Sequence, residues 1–222
     1  MNLYFIPGLG ADKRVFQFLD HSFYEPVYLD WIEPYPKEPL AAYALRLADA
    51  IPEENAVVVG VSFGGMLATE MAKARPGFTC ILISSAKTAA EIPGYLRMWK
   101  HLPVYRWFPQ KPTEYILKRA DLLFSTEGEA QRKVQKQIIA DTNIPFCKWA
   151  IDAIVHWNNS TIPSNIIHIH GTADKLLPYR YVQPNHTIPK GKHLMVMDYP
   201  AEIGALLQTI VQTVVHNHQA AG

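Results

Sequence analysis

Cysteine is scarce in this chain, with only Cys80 and Cys147 among 222 residues. Two thiols exclude a disulfide framework and a cysteine-rich metal site, and each reads as a small buried apolar group. An excess of charge of one sign is also missing. A formal net charge of +1 offers no basic surface, so no nucleic-acid partner is expected. Charged residues make up 18% of the chain against 49% hydrophobic, a balance that excludes disorder and fits a globular fold. No stretch approaches the roughly 18 apolar residues that a membrane span requires. The first residues are mostly apolar, yet no basic segment precedes them and Pro7-Gly8 follows at once. No secretory signal is therefore expected, and the expected address is cytoplasmic. Internal repeats, a Walker loop and a dinucleotide fingerprint are all lacking.

What is present is alternation. Apolar runs near residues 2–6, 26–31, 55–61, 78–84 and 165–170, with a short one near 185–188, read as strands separated by helical patterns. That order predicts an α/β fold with a mostly parallel six-stranded sheet and flanking helices. Leu40, Ala44, Leu47 and Ile51 recur at helical spacing, a second helix runs over 62–75 until Pro76-Gly77 stops it, and the last carries Ile203, Leu207, Ile210 and Val214 on one face. The alternation breaks between about 86 and 160. There residues 92–100, 113–124, 127–141 and 145–157 read as helices with no convincing strand between them. This interval holds Tyr95, Trp99, Tyr105, Trp107, Tyr115, Trp149 and Trp157, enough aromatic surface to suggest the roof of an apolar pocket. It carries eleven Lys or Arg against seven Asp or Glu, which solvated helix faces explain as well as an anionic substrate does.

Chemistry concentrates at the ends of the strands. Gly60-Val61-Ser62-Phe63-Gly64 joins the apolar run 56–59 to a helix, and such a bend holds its serine in an unfavourable backbone conformation with the hydroxyl lifted clear. A serine hydroxyl is a poor nucleophile and needs a base, an acid to orient the base, and donors for the developing oxyanion. His193, in the loop Gly191-Lys192-His193, is the candidate base. Asp174, in the turn Gly171-Thr172-Ala173-Asp174 after the fifth strand, is the candidate acid, with Asp198 as its rival. The glycine-rich bend Pro7-Gly8-Leu9-Gly10 and the helix start at Phe63 make the Leu9 and Phe63 N–H groups the candidate oxyanion donors. His168 and His170 lie on one face of a strand, but no third ligand accompanies them and no metal is expected. Asp12 reads as a helix cap, and Lys133, Gln135, Lys136 and Gln137 as a solvated helix face.

The order Ser62, Asp174, His193, with a glycine-rich loop after the first strand, resembles the α/β-hydrolase superfamily over nearly the whole chain. The chain departs from the family's frequent His-Gly at the oxyanion loop, where it has Pro7-Gly8, and from Gly-Gly-His at the base loop, where Lys192 intervenes. The resemblance implies a hydrolase core formed by 1–85 and 161–222, with 86–160 as a helical cap over the serine. It also implies a serine hydrolase with a catalytic triad and no cofactor, a carboxylesterase acting on a small ester through an acyl-enzyme. The same fold hosts cofactor-free lyases of the hydroxynitrile lyase kind and slow-turnover receptors that retain the triad. Both stand as alternatives.

Overall fold

The computed structural model of the chain describes residues 1–107, 124 and 126–220. Six strands build one sheet: β1 (Asn2–Ile6), β2 (Glu25–Tyr28), β3 (Val57–Val61), β4 (Thr79–Ile83), β5 (Ile166–Gly171) and β6 (His186–Ile188). Their order is β2-β1-β3-β4-β5-β6, and every pairing is parallel. A parallel sheet needs a layer on each face, and the period of two in the strands supplies both. Tyr4, Ile6, Val58 and Leu82 pack on one face, whereas Leu3, Phe5, Val57, Val59 and Ile83 pack on the other. The first face is covered by α1 (Leu40–Ala48) and α2 (Phe63–Ala74). The second is covered by the 3-10 turn Lys13–Phe16, the short α6 (Met195–Asp198) and α7 (Pro200–Ala220).

Between β4 and β5 the described residues hold no strand. They form α3 (Gly94–Arg97), which runs into the 3-10 turn Met98–Lys100, a further turn Val104–Trp107, and the helices α4 (Glu129–Ala140) and α5 (Ile144–His156). The helix expected over 113–124 lies outside the described residues except for Phe124, and so does Tyr115. Asn143 begins α5 by accepting the Phe146 N–H at 3.1 Å, with Pro145 in the first turn where its missing donor costs nothing. Polar bonds, one of them fully buried, tie this insertion to the sheet layers. The Trp149 indole donates to the Glu38 carbonyl at 3.1 Å, the Trp157 indole to the buried Glu70 carboxylate at 2.7 Å, and the Thr142 hydroxyl to the Gly10 carbonyl at 2.9 Å.

Candidate active site

Because all six strands run the same way, their C-terminal ends share one edge of the sheet, and the loops leaving that edge meet although they are far apart in sequence. Ser62 stands between β3 and α2 with φ 54° and ψ −116°, a positive φ that a non-glycine residue adopts only under constraint. The bend is tight because glycine lines both of its sides. A Cβ on Gly60 would meet the backbone of Gly64 and Gly65, and a Cβ on Gly64 would meet the carbonyls of Ile6 and Pro7. The second contact seats α2 against the end of β1 and so brings the Leu9 loop to Ser62.

His193 Nε2 lies 2.9 Å from Ser62 Oγ, and His193 Nδ1 lies 2.8 Å from Asp174 Oδ2. A carboxylate only accepts, so Nδ1 carries the proton and Nε2 is left to accept from the serine hydroxyl. Asp174 and His193 are both buried. Asp174 Oδ1 accepts the N–H groups of Leu176 and Leu177, each at 2.9 Å. Burial works against the charge of Asp174, but His193 and the Leu177 N–H outweigh it and hold the carboxyl below its ordinary range. The acid and base loops approach closely enough that a Cβ on Gly171 would strike the backbone of Gly191, and the Ala173 N–H bonds the Gly191 carbonyl at 2.9 Å.

The rival acid has another partner. Asp198 Oδ1 accepts the Glu127 N–H at 2.9 Å, and burial, aided by the Glu127 charge, pushes its carboxyl up. The Leu9 and Phe63 N–H groups donate to no acceptor among the described residues and both residues line the cavity beside Ser62. Lys192 is engaged by Glu127 at 3.3 Å.

That cavity measures about 570 Å³. Ser62, His193, Leu9 and Phe63 line it together with aliphatic side chains of the insertion, among them Leu96, Ile138, Ile151 and Val155. Of the aromatics expected over it, Tyr95 and Trp99 do line it. The others do different things. Trp149 packs between Tyr43 and Phe146, the Tyr105 hydroxyl donates to Asp152 at 2.5 Å, and Trp107 is 83% exposed. The wall that the insertion supplies is thus more aliphatic than the tryptophan count suggests, since Trp149 and Trp157 turn their indole N–H groups to partners on the main layers.

Three features escaped the sequence reading. Ser85 Oγ donates to the Ser62 carbonyl at 2.6 Å, Phe124 lies with its ring 5.5 Å from that of His193, and Gln135 is buried against the cavity instead of solvated. The Gln135 amide donates to the Phe124 carbonyl at 2.7 Å and accepts from the Thr126 hydroxyl at 3.1 Å, so its polar atoms are satisfied inside. Only Ser85 left a signal: two serines directly after β4 must lie beside Ser62 once β4 pairs with β3 in parallel. Among the described residues, no cluster of side chains is arranged to hold a metal ion.

The family model described as alpha/beta hydrolase family matches residues 3–206. A curated relative, the biotin biosynthesis bifunctional protein BioHC of Teredinibacter turnerae, is 26% identical, with 95% of this chain and 44% of that protein aligned. The chain therefore spans less than half the length of that relative. Among solved structures, a carboxylesterase of the ammonia-oxidizing thaumarchaeon Nitrososphaera gargenis superposes with a TM-score of 0.73 at 15% identity, covering 97% of this chain and 91% of that one. A thermophilic esterase of Thermogutta terrifontis superposes with a TM-score of 0.69 at 16% identity, covering 96% and 90%. At such identities the likeness is one of fold.

Proposed function

The chain belongs to the alpha/beta hydrolase family, and from that premise and the geometry at Ser62 we propose that it is a carboxylesterase working through an acyl-enzyme. The observation that carries this reading is the continuous run of hydrogen bonds from Ser62 Oγ through His193 to Asp174. In the proposed mechanism His193 Nε2 takes the Ser62 proton as Oγ attacks the ester carbonyl, and the imidazolium then gives that proton to the departing alkoxide. Asp174 keeps the proton on Nδ1 and stabilises the positive ring. The Leu9 and Phe63 N–H groups, unclaimed by the fold, receive the oxyanion, and the N-terminal end of α2 favours negative charge at the same place. Water then attacks the acyl group by the same base, so the residues of the chain suffice without a cofactor.

The cavity supports a small ester with an apolar body, since its wall is mostly hydrocarbon and its volume lies within the range of small-molecule sites. In this reading residues 86–160 act as a cap that supplies contact area while the main domain supplies the chemistry. A fluorophosphonate should label Ser62, Ser62→Ala should abolish labelling in a folded protein, and p-nitrophenyl esters of graded acyl length should be turned over many times. Labelling at another residue would overturn the nucleophile. Labelling of Ser62 with one stoichiometric burst would indicate the receptor, and release of an aldehyde and cyanide from a cyanohydrin with no acyl-enzyme would indicate the lyase.

A further inference from the structure

Two histidines that the proposed mechanism does not use lie directly behind Asp174. His168 and His170 are wholly buried on one face of β5, with ring centroids 5.1 Å apart and planes at 84°. Nε2 of His168 is 3.1 Å from Nδ1 of His170, and Nε2 of His170 is 2.8 Å from the Leu177 carbonyl and 3.5 Å from Asp174 Oδ2. These distances fix the protons. A carbonyl only accepts, so His170 carries its proton on Nε2. In the neutral ring Nδ1 is then an acceptor, and His168 must donate to it from its own Nε2. Burial favours the neutral form of both rings, against the pull of Asp174 on His170 and with the help of Lys87 on His168.

The Leu177 backbone is consequently held at both of its polar groups. Its carbonyl receives the His170 N–H, and its own N–H closes on Asp174 Oδ1 at 2.9 Å. We propose that His170, in the Nε2–H tautomer that the Leu177 carbonyl demands and the His168 N–H accommodates, is a positioning residue that fixes the 174–177 turn and so aims Asp174 Oδ2 at His193. The inference rests on the reading of Asp174 as the acid that orients His193. Hydrocarbon packing alone would fill the space behind the turn, but it would not hold the Leu177 carbonyl, and a misplacement of about 1 Å in such an assembly can cost about a hundredfold in rate.

The test compares His170→Leu, which has no donor, with His170→Gln, whose amide reaches the position of Nε2, and His170→Asn, whose shorter amide does not. For each, folding is checked by circular dichroism, kcat and KM by ester turnover, and the His193–Asp174 bond by the low-field proton resonance of His193 Nδ1–H. His170→Leu and His170→Asn should lose about tenfold to a hundredfold in kcat at nearly unchanged KM, with the resonance shifted or lost. His170→Gln should recover most of both. Equal behaviour of His170→Gln and His170→Asn, or a folded His170→Leu with unaltered kcat and resonance, would overturn the proposal, and the Gln and Asn pair serves if His170→Leu does not fold. Should the esterase reading itself fail, the unmodified protein would show no turnover, while the resonance would still report whether His170 positions Asp174.

Discussion

Ser62 holds a backbone conformation that costs on the order of 1–3 kcal/mol and persists only where its surroundings over-determine it. Here its N–H bonds the Ile83 carbonyl at 2.9 Å, and its carbonyl receives the Gly65 N–H at 2.9 Å, the Met66 N–H at 3.2 Å and the Ser85 hydroxyl at 2.6 Å. The two candidate acids differ as sharply in their partners. Under the proposed mechanism Asp174→Asn leaves an amide where a carboxylate set the imidazole tautomer, and turnover should fall by about ten-thousandfold, the scale of the corresponding change in triad proteases. Asp198→Asn removes the charge but keeps an amide oxygen to accept the Glu127 N–H, and should change kcat less than about threefold, a change too small to involve a triad member. Steady-state kinetics on folded variants would reverse the assignment if Asp198→Asn proved the more damaging. Ser62, Asp174 and His193 were legible as residues because a glycine-flanked bend and two strand-end turns mark their places. Ser85 and His170 were less so, since their roles depend on which strands are neighbours and how far a turn folds back.

Strands were the most readable elements, because a strand buried on both faces, such as Val57–Val61, must be apolar throughout. Helix ends were blurred by a residue or two, the helix expected over 92–100 is divided into α3 and a 3-10 turn, and the four-residue α6 carries too little periodicity to be separated from a loop. What no pattern along one element reveals is how closely two elements approach. Gly64 illustrates this. Its helix could take alanine readily, yet the Cβ would push into the Ile6 and Pro7 carbonyls, where β1 turns into the Leu9 loop. Gly64→Ala should therefore destabilise the protein by about 1–3 kcal/mol through overpacking, although alanine is the better helix former. Thermal unfolding should show this as a lower Tm, by about 2–4 °C per kcal/mol at this chain length. Fluorophosphonate labelling of Ser62 should slow as well, since the Leu9 N–H would move. An unchanged Tm with unchanged labelling would show that the β1 loop yields freely and that the glycine is not needed for the approach.

At the scale of the molecule, the parallel sheet gathers its chemistry at one edge and also buries two titratable rings in its interior, a combination that couples stability to acidity. No helix among the described residues is long and apolar enough to cross a membrane. His168 and His170 are held below the ordinary histidine value of 6.5 by burial, with Lys87 adding to the effect on His168 and His193 to that on His170, while Asp174 opposes it. Well above pH 6.5 the rings are neutral in the folded and the unfolded chain alike, and they contribute no slope. Below it the unfolded chain binds protons that the folded chain refuses, so the derivative of unfolding free energy with pH is positive and stability falls as pH drops. Two such rings should cost about 1–3 kcal/mol between pH 7.5 and 5.5, the upper figure applying if neither is protonated in the folded state at pH 5.5. Urea unfolding at the two pH values measures this directly, as a lower midpoint at pH 5.5. His168→Gln combined with His170→Gln should flatten the dependence whatever its effect on absolute stability, since glutamine does not titrate. A wild-type midpoint that stays constant between these pH values, or a double variant that keeps the full slope, would place the acid sensitivity elsewhere and contradict a neutral histidine pair in the core.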